Sequence, residues 1–185
     1  MGVGMMECTA IIVIDMQTSL VEGNPYHRDI LIENIRSLID MGRKKNFAVI
    51  YIRHHGKSSG LVKNSDGWQI YKALTPQKDE KIFDKQYNSA FKNTGLKQYL
   101  EEKKIKNLIL VGMQTEYCID VTCKVAFEYG FKIVIPEDAI STYDNSWLSG
   151  KQLNEYYTQR IWNHCFANVL STQEILKSAE KLFIK

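Results

Sequence analysis

The sequence is poor in cysteine and proline and has no long apolar run. Its 185 residues include 4 cysteines and 3 prolines, and no two cysteines form a C-x-x-C pair. This usage argues against a disulfide scaffold and favours reduced thiols in a cytoplasmic protein. No apolar run approaches the roughly 18 residues that span a bilayer, and the first residues lack the pattern of a signal peptide. We therefore expect a cytoplasmic protein without a membrane partner.

An excess of charge of one sign is also missing. The formal net charge is +3, which is too small to indicate nucleic-acid binding. Hydrophobic residues make up 44% of the chain and charged residues 24%, close to the averages of globular proteins. No linker, repeat or low-complexity tract divides the sequence. Length and composition together predict a single globular domain, residues 1–185.

Short apolar runs rich in β-branched residues recur along the chain. They are continuous rather than alternating, which is typical of strands buried on both faces of a parallel sheet. The predicted strands are Ala10–Asp15, Phe47–Ile52, Lys81–Lys85, Asn107–Gly112, Lys132–Glu137 and Phe166–Ser171. Helical patterns fall between or after them, at residues 29–46, 95–105, 116–130, 149–164 and 171–183. Strands alternating with helices predict an α/β fold of three layers, a doubly wound sheet with helices on both faces.

Reactive side chains follow three of these strands. Asp15 ends the first strand, Lys85 ends the third, and Cys118 comes shortly after the fourth. Ligands of such sheets bind beyond the carboxyl ends of the strands, so the three side chains should meet at one edge. A lysine ammonium and a helix N-terminus both stabilise a thiolate, and an aspartate can accept the thiol proton. The trio predicts nucleophilic acyl transfer by cysteine.

Each of these residues also has a simpler interpretation. Asp15 could cap a turn, Lys85 could be an exposed charge, and Cys118 could be a small packing residue. Only the convergence of all three at strand ends favours catalysis. The longest irregular stretch, Arg53–Glu80, has a length that is usually functional, and we expect it to shape the substrate pocket.

Three segments of the sequence carry a recognisable combination of motifs: AIIVIDMQ, FDKQYNSAF and LVGMQTEYCIDVTCKVAFEYGFKIVIPEDAIST. Through them the sequence resembles the isochorismatase-like cysteine hydrolases, a superfamily that includes nicotinamidases and isochorismatases. The resemblance extends from about Ala10 to about Ile175. It implies a six-stranded, mostly parallel sheet of Rossmann-like order and a homodimer or larger homo-oligomer. It also implies a catalytic triad of Asp15, Lys85 and Cys118.

The resemblance further implies details of the site around the cysteine. A cis peptide bond would join Met113 to Gln114, and the backbone N–H groups of Gln114 and Cys118 would form an oxyanion hole. Nicotinamidases of the superfamily usually hold a metal through an Asp-x-His segment after the second strand. The corresponding segment here, IRHHG, contains no aspartate, so we expect no metal and no other cofactor. Of the two histidines, His55 is expected to line the pocket; the alternative for both is a solvated or hydrogen-bonding loop role.

Several aromatic side chains could wall a pocket for a flat or cyclic substrate. The residues expected to contact substrate are Gln17, His55, Trp68, Tyr87 and Tyr117. Tyr71 and Phe91 are as consistent with the core as with the pocket.

These patterns predict a hydrolase for a small molecule. It would cleave a C–N amide bond through a thioester on Cys118, in an Asp-Lys-Cys mechanism. One alternative is vinyl-ether hydrolysis of the isochorismatase type, which uses the acid and the lysine and does not need the thiol. The other is a catalytically silent binding protein, in which the thiol of Cys118 would show no selective reactivity.

Overall fold

A parallel β-sheet forms the centre of the molecule. The structure is a computed structural model that describes residues 8–56, 60–179 and 182–183. Within these residues the strands are β1 (Cys8–Ile14), β2 (Ala48–His54), β3 (Lys81–Lys85), β4 (Ile105–Met113), β5 (Lys132–Pro136), β6 (Ile140–Ser141) and β7 (Asn168–Leu170). The strand order is β3-β2-β1-β4-β5-β7, and β6 pairs with the last residues of β4. All of these pairings are parallel.

Helices cover both faces of the sheet and give it three layers. They are α1 (Thr18–Glu22), α2 (Arg28–Lys44), α3 (Leu96–Glu102), α4 (Asp120–Glu128), α5 (Gly150–Tyr156) and α6 (Thr172–Ser178). Alternate residues of β1 point to opposite faces. Ile12 and Ile14 pack with residues of α3 and α4, whereas Ile11 and Val13 pack with residues of α2 and α6. This arrangement confirms the predicted fold class.

The predicted strands and helices agree with the structure apart from a few local differences. Strand β6 and helix α1 were not predicted, because two and five residues are too short to produce a sequence pattern. The helix predicted at 149–164 divides into α5 and a π-helical turn, Tyr157–Trp162. The helix predicted at 116–130 begins with another π-helical turn, Thr115–Ile119, before α4. The first residues of the chain, residues 57–59 of the long loop and residues 180–181 of the last predicted helix lie outside the described residues.

A glycine brings the ends of β1 and β4 unusually close. Gly112 pairs with Ile14 and has a φ of 114°, a conformation that L side chains rarely adopt. A Cβ atom at this position would lie 2.1 Å from the carbonyl oxygen of Ile14. The residues that follow these two strand ends, Asp15 and the turn leading to Cys118, are therefore held near each other. None of the helices in the described ranges is long and apolar enough to cross a membrane.

Candidate active site

Asp15 is the first residue beyond β1, and its carboxylate is buried at the carboxyl edge of the sheet. Its backbone N–H donates to the carbonyl of Ile52 at 2.9 Å, and its φ of 53° turns the chain out of the strand direction. The residue is 2% exposed. Oδ2 accepts a hydrogen bond from Lys85, whereas Oδ1 is buried and has no partner among the described residues. A buried carboxylate oxygen without a donor is rare and calls for a functional or structural reason.

Lys85 ends β3 and joins the other groups of the site through its ammonium. Its side chain is completely buried. Nζ lies 2.7 Å from Asp15 Oδ2, 3.1 Å from Cys118 Sγ and 3.2 Å from His54 Nδ1. Burial alone would lower the pKa of Lys85, but Asp15 and Cys118 outweigh that effect and raise the pKa above its ordinary value. The lysine is therefore a fixed positive charge at neutral pH.

Cys118 lies in the π-helical turn that follows β4. The peptide bond between Met113 and Gln114 is cis, as the resemblance implied. The carbonyl of Gln114 accepts from the backbone N–H groups of Tyr117 and Ile119 at 3.2 and 3.1 Å. These bonds fix the backbone on both sides of the cysteine. That the N–H groups of Gln114 and Cys118 receive an oxyanion stays a prediction.

A polar link ties the same turn to α5. Thr115 is fully buried and donates from Oγ1 to Oδ1 of Asn154. Asn154 in turn donates from Nδ2 to the carbonyl of Ile140 at 2.9 Å. The nucleophile-bearing turn is thereby anchored to both α5 and β6.

The thiol of Cys118 is less acidic than its position suggested. Burial and the negative charge of Asp15 raise the pKa of this thiol to about 12, although Lys85 acts in the opposite direction. The sequence had predicted that the helix start and the lysine would favour the thiolate. The difference arises because the residue is only 8% exposed and sits beside a carboxylate. The resting group is a protonated thiol that needs a base at the moment of attack.

His54 is the histidine beside these groups, whereas contact of His55 with substrate stays a prediction. Strand β2 continues to His54, which is paired with Lys85 in the parallel ladder. Side chains paired in this way lie on the same face of a sheet. Burial and the nearby Lys85 ammonium lower the pKa of His54, which favours the neutral ring. Because adjacent residues alternate in direction, the sequence HH alone did not reveal which ring faces Lys85.

Asp15, His54 and Cys118 also resemble a set of metal ligands. One ligand atom from each lies within 4.8 Å of the other two. However, Lys85 Nζ makes close contacts with all three side chains. A divalent ion bound to these atoms would have to displace the ammonium or lie against it. These three side chains therefore fit a lysine cation and do not fit a metal ion while Lys85 is charged.

Gln17 has a different environment from the one expected for a substrate-binding residue. Its side chain is fully buried. Nε2 donates to the carbonyls of His54 and Trp68 at 2.9 and 2.8 Å, and Oε1 accepts from the backbone N–H of His54 at 2.8 Å. Both amide hydrogens are therefore used by the backbone. The structure places Gln17 as an anchor between β2 and the long loop, and its contact with substrate stays a prediction.

The predicted aromatic residues divide into exposed and buried members. Tyr87 and Tyr117 are 43% and 50% exposed, so their contact with substrate stays a prediction. Trp68 is buried, with the guanidinium of Arg53 stacked 3.7 Å from the centre of its ring. Its Nε1 has no partner within the described part of the chain. Phe91 is buried against Phe131, so of the two roles left open for it, core and pocket, the structure shows the core.

Asn88 was not singled out from the sequence. Its Oδ1 accepts from the thiol of Cys118 at 3.8 Å, and the residue is exposed. Its side chain therefore joins the buried thiol to the protein surface. The signal was its position in FDKQYNSAF, three residues after Lys85.

The fold and the buried Asp-Lys-Cys cluster define a class: a three-layer α/β protein with a cysteine at the carboxyl edge of its parallel sheet. Comparison with known sequences then gives the family. A model of the Isochorismatase domain matches residues 9–174, and the chain belongs to this family of hydrolases.

Individual relatives are distant. A streptothricin hydrolase from Streptomyces noursei is 27% identical over 138 residues, which are 73% of this chain but only 50% of that protein. Nicotinamidase 3 of Arabidopsis thaliana is 26% identical over 161 residues, covering 78% of this chain and 79% of the relative. The crystal structure of a cysteine hydrolase from Pseudomonas syringae pv. phaseolicola has a TM-score of 0.86 at 24% identity. The aligned residues make up 95% of this chain and 93% of the Pseudomonas chain. This last similarity shows the fold.

Proposed function

We propose that the protein hydrolyses a C–N amide bond of a small molecule through a thioester on Cys118, without a metal. The observation that carries the proposal is the arrangement of the two acidic groups around Lys85. The ammonium contacts both Asp15 and Cys118, while the second oxygen of Asp15 is buried without a donor. A base, a nucleophile and a fixed positive charge are thereby held in one poorly solvated site.

The first half of the reaction would form the thioester. Sγ of Cys118 attacks the carbonyl carbon, and the thiol proton passes to the carboxylate of Asp15. Since burial raises the pKa of the thiol to about 12, the proton must leave as the new S–C bond forms. The C–N bond of the tetrahedral intermediate then breaks, and Asp15 returns the proton to the departing nitrogen. The products of this half are an amine and the acyl-enzyme.

The second half would regenerate the enzyme. Asp15 removes a proton from a water molecule as the water oxygen attacks the thioester carbon. The C–S bond breaks, the carboxylic acid forms, and Cys118 regains a proton from Asp15. Lys85 offsets the negative charge that moves between Asp15 and the sulfur throughout both halves.

One relative supports an amide substrate by its name, nicotinamidase, and another is named a hydrolase of a small molecule, streptothricin. The direct hydrogen bond from Lys85 to Cys118 Sγ also favours a mechanism that uses the thiol. The vinyl-ether alternative uses the acid and the lysine and gives the sulfur no role.

The test is turnover of a panel of small amides by the parent protein and by Cys118→Ala. The panel includes nicotinamide and streptothricin, and intact-protein mass spectrometry follows the acyl-enzyme. We expect the variant to lose about a thousandfold or more of the rate and to show no covalent adduct. Cys165→Ser, a change at an exposed cysteine, is the matched control and should behave like the parent. Isochorismate is assayed alongside the amides. Full activity of Cys118→Ala on an amide would contradict the mechanism, and retained hydrolysis of isochorismate by this variant would favour the vinyl-ether reaction.

A further inference from the structure

The ammonium of Lys85 has three acceptors and three hydrogens. Asp15 Oδ2 and Cys118 Sγ are two of the acceptors, and His54 Nδ1 at 3.2 Å is the third. A protonated lysine can only donate, so the ring nitrogen that faces it must be unprotonated. The neutral ring of His54 then carries its hydrogen on Nε2. Each hydrogen of the buried ammonium is thereby directed at a different side chain.

The backbone of His54 is held in place independently of its ring. Gln17 accepts from the N–H of His54 and donates to its carbonyl, at 2.8 and 2.9 Å. The same glutamine is tied to the carbonyl of Trp68. In addition, the ladder between β2 and β3 pairs His54 with Lys85. The buried side chain of Gln17 and the strand pairing therefore both fix the backbone of His54, from which the ring reaches Lys85.

We propose that His54 is a positioning residue for the nucleophile: it accepts the third N–H of Lys85 and so keeps the other two directed at Asp15 and Cys118. This inference rests on the proposed function for its catalytic meaning. Without an acceptor at this position, one N–H of a buried ammonium loses its partner, which is costly. The ammonium would then turn towards water or another acceptor. The interaction that stabilises the Cys118 thiolate would weaken as a result.

The test compares two substitutions of almost the same shape. In His54→Asn, the amide Oδ1 occupies the δ position and keeps an acceptor for Lys85. In His54→Leu, a methyl group takes that position and no acceptor remains. Since the two side chains are nearly isosteric, they open or block access to the sulfur to the same extent. Their difference reports on the hydrogen bond.

The measurement is the rate at which iodoacetamide alkylates Cys118, read by peptide mass spectrometry from pH 7 to 10. The background is Cys8→Ser with Cys165→Ser, which removes the two exposed thiols. We expect His54→Leu to react about tenfold more slowly than the parent at each pH, since one pKa unit is tenfold in thiolate. His54→Asn should stay within about threefold of the parent. His164→Asn, at an exposed histidine, is the control and should match the parent.

Equal alkylation by His54→Leu and the parent would overturn the proposal. Equal loss in the Leu and Asn variants would also overturn it, because the ring would then act by its shape alone. If His54→Leu does not fold, His54→Gln replaces it with the same expectation, since its amide group lies one bond further out. Alkylation needs no substrate, so a failure to find any amide hydrolysis would contradict the proposed function and leave this result readable. On an amide that is hydrolysed, we expect His54→Leu to lower kcat with little change in KM.

Discussion

Two edges of the same sheet carry similar charged clusters with different properties. At the carboxyl edge, Lys85 and Asp15 form a buried ion pair beside the thiol of Cys118. Towards the amino edge, Arg43 and Glu80 form an ion pair beside the hydroxyl of Tyr51. In both clusters, burial and the neighbouring carboxylate raise the pKa of the third group. Similar electrostatics thus occur at a candidate active site and at a site with no predicted chemistry.

The two clusters differ in how many hydrogen bonds the oxygens of each carboxylate accept. Both oxygens of Glu80 accept from the fork of Arg43, at 2.8 and 2.9 Å, and Oε2 also accepts from the backbone N–H of Gln77. Asp15 has one oxygen bonded to Lys85 and one without a donor. A bidentate pair is fixed in geometry, whereas an unpaired oxygen can take a proton. A cavity of about 670 Å³ beside Arg43 and Glu80 therefore does not by itself indicate catalysis.

The largest effect is expected from Asp15→Asn. Asparagine tolerates the φ of 53° at this position and keeps the size of the side chain, but it cannot accept a proton as a carboxylate does. We expect kcat on an amide substrate to fall by about 10²- to 10⁴-fold. Steady-state kinetics on protein that circular dichroism shows to be folded would check this. A loss of less than about threefold would remove Asp15 as the base.

Glu80→Gln makes the corresponding change at the other edge. The carboxamide presents an NH₂ group to donors from Arg43 and Gln77, so one of these hydrogen bonds is lost. We expect the free energy of unfolding to fall by about 1–3 kcal/mol. Turnover per folded molecule should stay within about twofold of the parent, because no group of this cluster contacts Asp15, Lys85 or Cys118 in the contacts described above. Urea denaturation and kinetics on the same preparation measure both quantities. A large loss of turnover in a folded variant would show that the two edges are coupled.

The sequence revealed the carboxyl-edge cluster better than the amino-edge cluster. Asp15 and Lys85 end parallel strands and Cys118 follows one, so strand ends alone predicted that they would meet. His54 and Gln17 escaped correct interpretation because their contacts depend on strand register and on the course of the long loop. The pair Arg43–Glu80 joins the end of α2 to a loop, and no periodicity links those positions. The side-chain pKa values could not be predicted from the sequence. Lys85 was expected to lower the pKa of Cys118, but burial raises it by more.

The smallest effect at neutral pH is expected from Tyr51→Phe, and its pH dependence is the informative part. The Tyr51 hydroxyl is buried beside the Glu80 carboxylate, which keeps its hydrogen bonds from Arg43 and Gln77 without it, so removing it should change stability by no more than about 1 kcal/mol. Burial and then Glu80 raise the pKa of Tyr51 in the folded protein. Above about pH 10 the unfolded tyrosine therefore loses its proton before the folded one does, and the parent loses stability as the pH rises.

Phenylalanine removes that contribution. Tyr51→Phe should flatten the alkaline decline in the urea midpoint between pH 9 and 11 and leave amide turnover unchanged. Cys118→Ser, at the other edge, should also flatten the decline, because the thiol pKa is raised as well, but it should abolish the thioester pathway. Parallel alkaline slopes for Tyr51→Phe and the parent would mean that the Tyr51 hydroxyl ionises equally easily in the folded and unfolded chains. Only the carboxyl edge would then raise the pKa of its third group, and the two edges would differ in that property as well as in the hydrogen bonds to each carboxylate.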